Sequence, residues 1–72
     1  MNVTVTLDIV RGGRSTPVRR EVVPGTRIRD LLREIGQAPE GCAALVGDRP
    51  VPLDLPIEGP MLLTIVPTFS GG

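Results

Sequence analysis

Residues Asn2 to Val10 alternate, with Val3, Val5, Leu7 and Ile9 on one side and Thr4, Thr6 and Asp8 on the other. A period of two carried by β-branched side chains predicts a strand with one buried face. Arg11-Gly12-Gly13-Arg14-Ser15 follows as a turn, because adjacent glycines reach positive φ without steric cost. Thr16 to Val22 alternates again, setting Val18, Arg20 and Val22 against Arg19 and Glu21, so the two segments predict a β-hairpin. Pro24-Gly25 then breaks the chain, and Thr26 stands at the expected N-cap. Ile28, Leu31, Leu32 and Ile35 recur at i, i+3, i+4 and i+7, one apolar stripe of a helix over roughly 27–35. Gly36 suits the position just past its end, and Pro39 forbids continuation.

The second half is punctuated by proline. Cys42 to Val46 is a short apolar strand closed by the Gly47-Asp48 turn, and Arg49-Pro50-Val51-Pro52 can form only a brief edge strand. Pro52 to Pro60 reads as a loop pinned to the core by Leu53, Leu55 and Ile57. Met61 to Val66, the most apolar segment, predicts a central strand that Pro67 ends. The order strand, strand, helix, strand, short strand, strand predicts an α+β fold. A right-handed crossover through one helix packed on one sheet face makes it a β-grasp of ββαββ type, a mixed sheet with first and last strands parallel in its middle. A ferredoxin-like arrangement would want a second helix. Residues 1–67 form the expected β-grasp domain, and residues 68–72 an exposed tail.

Composition narrows the chemistry. A chain of 72 residues is one small domain that buries about 60% of its unfolded surface. Eight basic residues, all Arg, balance eight acidic ones, and the formal net charge of +0 argues against a general nucleic-acid binder. With no His and the single Cys42, the usual general base, the Cys–His or Ser–His nucleophile pair and a multi-Cys metal site are all lacking. An enzyme acting alone is therefore not expected, nor is a bound cofactor or metal. No apolar run nears the ~20 residues that span a bilayer, and no signal-like block opens the chain, so a monomer in the cytoplasm with no membrane partner is expected. Cys42, without a His or Lys beside it in the sequence, reads as a small packing residue. Arg11-Gly12-Gly13-Arg14 reads as a turn rather than an RNA-binding element.

The candidate chemistry lies in the last residues. From Pro67 to Gly72 an extended chain reaches roughly 20 Å. Gly71 and Gly72 lack Cβ atoms and could thread a narrow channel, presenting a terminal carboxylate to another protein's active site. An α-carboxyl with a pKa near ~3.5 is already an anion at neutral pH and needs no base to act as a nucleophile. Attack on the α-phosphate of ATP would give an acyl-adenylate, open to a sulfur nucleophile or to a lysine amine. Ser70 and Phe69 would position the tail, Phe69 as an aromatic anchor in a partner's pocket.

Three segments carry a family resemblance. Ile65-Val66-Pro67-Thr68-Phe69-Ser70-Gly71-Gly72 is similar to the ending of molybdopterin-synthase small subunits. Leu45-Val46-Gly47-Asp48-Arg49-Pro50-Val51-Pro52 resembles the turn before the fourth strand of archaeal small modifiers and ThiS-like carriers, and Gly25-Thr26 through Leu31-Leu32 resembles the start of their helix. The chain thus resembles the ubiquitin-like β-grasp family of small archaeal modifier proteins and MoaD/ThiS-type sulfur carriers. The resemblance implies adenylation of Gly72 by a ubiquitin-activating-enzyme-like protein that consumes ATP. It further implies use as a thiocarboxylate donor to sulfur-accepting enzymes, as a tag on lysines of target proteins, or as both. With Gly72 as the last encoded residue, no protease is expected to be needed. Thr68 in place of a second proline, and Glu58-Gly59-Pro60 before the last strand, depart from the molybdopterin-synthase pattern and favour the small-modifier branch. A molybdopterin-synthase small subunit remains the alternative within the family, and a plain interaction module the alternative outside it.

Strand parity counted back from the tail puts Met61, Leu63 and Ile65 inward and Leu62, Thr64 and Val66 outward. If the third strand pairs antiparallel with the last, Ala44 falls beside Thr64 and Cys42 beside Val66. Ala44, Leu62 and Val66 then form an outward patch, a possible docking surface for the activating partner.

Overall fold

A computed structural model of the chain describes residues 1–68. β1 (Val3–Arg11) and β2 (Arg14–Val22) form the expected hairpin, closed by Gly12 and Gly13 at φ 58° and 79°. Two successive positive φ values make a type I′ turn, whose twist matches that of the flanking strands. β3 (Thr26–Arg27) leads into α1 (Ile28–Glu34), followed by a single 3-10 turn at Pro39–Gly41. β4 (Cys42–Val46), β5 (Arg49–Val51), β6 (Pro56–Ile57) and β7 (Met61–Pro67) complete the chain. Five strands form one mixed sheet in the order β2-β1-β7-β4-β5, while β3 and β6 make a separate two-stranded ladder. β7 is central, parallel to β1 and antiparallel to β4, as its apolar run requires.

The core lies between α1 and one face of this sheet. Ile28, Leu31 and Leu32 of the helix meet Val5 and Leu7 of β1 and Leu63 and Ile65 of β7, with Val22, Ala44 and Ile57 at the margins. A helix of seven residues is too short to persist alone, so this packing sustains it. Thr26 does not cap it. The N-cap position is Arg27, and the helix's first amides donate to the 52–60 loop instead: Ile28 N–H to Leu55 C=O at 3.2 Å and Arg29 N–H to Leu53 C=O at 2.9 Å. Thr26 lies in β3, and its hydroxyl donates to the carbonyl of Val23 at 2.7 Å. The prolines of that loop therefore hold carbonyls over the helix N-terminus, where a side-chain oxygen would otherwise serve.

At the other end Gly36 takes φ 83°, its N–H donating to Arg33 C=O at 3.1 Å and Gln37 N–H donating to Leu32 C=O at 2.8 Å. This paired arrangement is a Schellman motif, which ends the helix and turns Gln37 toward the sheet. A Cβ added at Gly36 would meet nothing within 4 Å, so replacing it costs only backbone strain. Gly36→Ala is expected to lower stability by about 1–2 kcal/mol, read as a lower urea midpoint with an unchanged slope.

The antiparallel pairing of β4 with β7 differs by one residue from the sequence expectation. Ala44 lies opposite Ile65 and Cys42 opposite Pro67, while Ala43 faces Val66 and Leu45 faces Thr64. A one-residue slip turns every side chain to the other face. Ala44 is accordingly buried at 1% exposure in the core and is no part of an outward patch.

Candidate functional site

Two regions converge on the end of the sheet where β7 finishes. Because β1 and β7 run parallel, Arg11 and Pro67 end together at one edge of the molecule, and Met1 lies at the other. Pro67 sits across from Cys42, and the next residue, Thr68, donates its N–H to the carbonyl of Gly41 at 3.0 Å. That bond extends the β4–β7 ladder and fixes the chain's last described step. A small cleft of about 40 Å³ lies here, bordered by Ile9, Arg11, Gln37, Gly41, Cys42 and Pro67 among others. The Cys42 thiol is half-buried and unpaired. The expected site residues Phe69, Ser70, Gly71 and Gly72 lie outside the described residues.

The second region is the sheet face opposite the helix. Leu62 stands 62% exposed on it, the most exposed large apolar side chain of the five-stranded sheet. Val66, Thr64 and, across the corrected register, Ala43 and Leu45 are half-buried around it, with Pro50 opposite Leu45 at the rim. Of the three expected docking residues, Leu62 and Val66 face outward together and Ala44 does not. Ala43 and Leu45 take its place. A signal for them was present in the sequence. Val51 is the one β-branched residue between Pro50 and Pro52, so it belongs in the core. A two-residue Gly47-Asp48 turn pairs it with Ala44 and carries Ala44 inward as well.

The helix arginines are largely occupied. Arg29 pairs with Asp54 at 2.6 Å, Arg27 donates to the carbonyl of Asp54 at 2.9 Å, and Arg33 lies 3.8 Å from Asp30. Among the described residues, no three His, Cys, Asp or Glu side chains converge as metal ligands. No helix among them is long and apolar enough to cross a membrane.

A mixed sheet with parallel first and last strands, grasping one helix on a single face, defines a ubiquitin-like β-grasp protein. Its backbone is similar to that of Caldiarchaeum subterraneum ubiquitin, with a TM-score of 0.70 over 100% of each chain at 12% sequence identity, a likeness of fold. The family small archaeal modifier protein 2 matches residues 1–66, and the chain belongs to that family of ubiquitin-like modifiers. No curated protein matches the sequence. Membership places the chain among protein tags rather than enzymes, and such modifiers work through activating enzymes and targets.

Proposed function

We propose that this chain is a protein modifier that acts through the carboxyl of Gly72. The reading is supported chiefly by the family match over residues 1–66 joined to the Gly71-Gly72 pair three and four positions beyond Thr68. A carboxylate oxygen of Gly72 attacks the α-phosphorus of ATP bound to an adenylating partner, and pyrophosphate leaves. The resulting acyl-adenylate has two exits. A target's lysine amine attacks the carbonyl and displaces AMP, giving an isopeptide and releasing one proton. A persulfide sulfur displaces AMP instead, and a thiol then reduces the acyl disulfide to a thiocarboxylate for a sulfur-accepting enzyme. ATP is the partner's cosubstrate in either case, and the cytoplasm is where this chemistry would draw on it. Gly71 keeps the approach narrow, while Phe69 and Ser70 position the tail.

Intact-mass measurement of the chain from its native cells, with a parallel blot for larger species, tests this reading. It first establishes whether the mature chain ends at Gly72. Exchange of one terminal oxygen for sulfur marks a carrier, and adducts joined from Gly72 to target lysines mark a tag. No residue of this sequence is Lys, so no adduct junction is expected on one of its own side chains. An unmodified carboxylate that persists after incubation with ATP and the cell's activating enzymes would remove the proposal.

The face around Leu62, Val66, Ala43 and Leu45 is the proposed docking surface for the activating partner, as apolar exposure beside a reactive end suggests. Leu62→Asp is expected to slow adenylation about tenfold or more, since truncated or repelled hot spots cost about 2 kcal/mol or more. Stability should stay within about 0.5 kcal/mol, as for other surface changes. Pyrophosphate release and urea denaturation, measured on the same variant, separate the two effects.

A further inference from the structure

The type I′ turn sets Arg11 directly opposite Arg14. Like charges facing each other across an antiparallel pair are destabilising, and the arrangement is not relieved locally. Among the described residues neither guanidinium has a salt-bridge partner, although Asp30 and Asp54 serve Arg33 and Arg29 elsewhere. Arg11 is instead held by a neutral acceptor, donating from Nη2 to Oε1 of Gln37 at 3.0 Å. The Schellman turn at Gly36 delivers Gln37 to that place.

These residues line a cavity. Arg11 and Arg14, with Ile9 and its cross-strand neighbour Thr16, form one wall and Gln37 borders the other side of a solvent-open cleft of about 330 Å³. Its lining holds two cations, a hydroxyl, an amide and an apolar floor, with no carboxylate. The surrounding hairpin is also positive. Arg11, Arg14, Arg19 and Arg20 stand against Asp8 and Glu21, an excess of two charges in a chain whose net charge is +0. The cavity shares Ile9, Arg11 and Gln37 with the small cleft against Pro67.

We infer that this cleft is an oxyanion site that receives carboxylate side chains from an acidic segment of a partner protein. Planar guanidinium groups match carboxylates with paired, charge-assisted hydrogen bonds, and Thr16 and Gln37 can donate further ones. A protein segment fits better than a free ion because Arg20, on the same face of β2 as Arg14 and Thr16, carries positive charge beyond the cavity, while Asp8 and Glu21 lie on the opposite face. That the segment belongs to the protein receiving the C-terminal residues rests on the function proposed above, since such a protein must sit over Pro67 and hence over Arg11. The binding of carboxylates itself does not rest on it. The carboxylates also relieve the Arg11–Arg14 repulsion, so the strain in the free chain becomes affinity in the complex.

Titration of the full, isotope-labelled chain with hexaglutamate at low salt, followed by amide NMR, tests the site. Shifts are expected at residues 11–16 and at Gln37. Arg11→Ala with Arg14→Ala is expected to weaken binding about tenfold, the equivalent of losing one charge-assisted hydrogen bond. Arg29→Ala with Arg33→Ala should leave the affinity unchanged. Arg14→Gln alone is expected to raise the urea midpoint while it weakens binding, a combination that a purely structural residue would not give. Inorganic phosphate, titrated in parallel, is expected to bind more weakly than the peptide. Phosphate binding as tightly as the peptide would overturn the assignment to a protein segment. Absence of shifts, or shifts spread evenly over the helix arginines, would overturn the site. A chain lacking Gly72 should titrate unchanged, so failure of the cleft and failure of tail chemistry are read independently.

Discussion

A chain lacking Gly72 is expected to fold with an unchanged urea midpoint, yet to form neither adduct nor thiocarboxylate. The loss should exceed about a hundredfold, since even a 1 Å misplacement of a reacting group can cost that much and this deletion shifts the carboxylate by a residue. Gly71→Val is expected to act similarly while keeping the carboxylate, because a β-branched side chain would widen an end suited to a narrow channel. Pyrophosphate release in the presence of the activating enzyme separates the two. If adenylation survives both changes, the reactive end lies elsewhere and the sheet face becomes the functional surface.

The second large effect is structural. Leu63 is wholly buried on β7, paired with Leu7 on β1 and packed beneath α1. Leu63→Ala is expected to cost about 2–5 kcal/mol, the transfer loss plus the cavity left behind. Small domains hold roughly 0.05–0.15 kcal/mol per residue, so a chain of this length has about 4–11 kcal/mol in all. The variant should therefore unfold at a much lower urea concentration, with part of the population already unfolded in buffer at the lower bound. Activation by the partner should fall in proportion to the folded fraction, because β7 is also the strand that leads to the proposed reactive end. A midpoint shifted by less than a core methyl group would warrant would show that the site repacks.

Much of the fold was legible because its residues declare their period. Val3 through Ile9 and Val18 through Val22 alternate; Ile28, Leu31, Leu32 and Ile35 keep the helical stripe; and Gly12-Gly13 and Gly36 mark turns that only positive φ closes. Three features were not legible. The β3–β6 ladder comprises two residues on each side, too few for any periodicity, and it is held by loop carbonyls that no sequence pattern encodes. The β4 run Cys42-Ala43-Ala44-Leu45-Val46 is apolar throughout, so its faces cannot be told apart from within. Its pairing with β7 was counted one residue out, which exchanged Ala44 for Ala43 and Leu45 in the proposed docking face. Leu62 and Val66 escaped that error because the parity of β7 was counted back from the tail, independently of its pairing with β4. The Arg11–Arg14 cleft was hidden for a different reason. Its sequence reads simply as a turn, and its meaning depends on Gln37 arriving from beyond the helix.

The parallel pairing of β1 and β7 has a mechanical consequence. Five residue pairs, Val5–Met61 through Ile9–Ile65, join the two strands side by side. A pull applied ahead of β1 and beyond β7 draws the strands in opposite directions along their own axes. The inter-strand bonds are then loaded together in shear, rather than opened one at a time as in a zipper. A tag fixed to a target at one end and drawn from the other would give way abruptly at high force, with the helix and hairpin still in place until the β1–β7 seam fails.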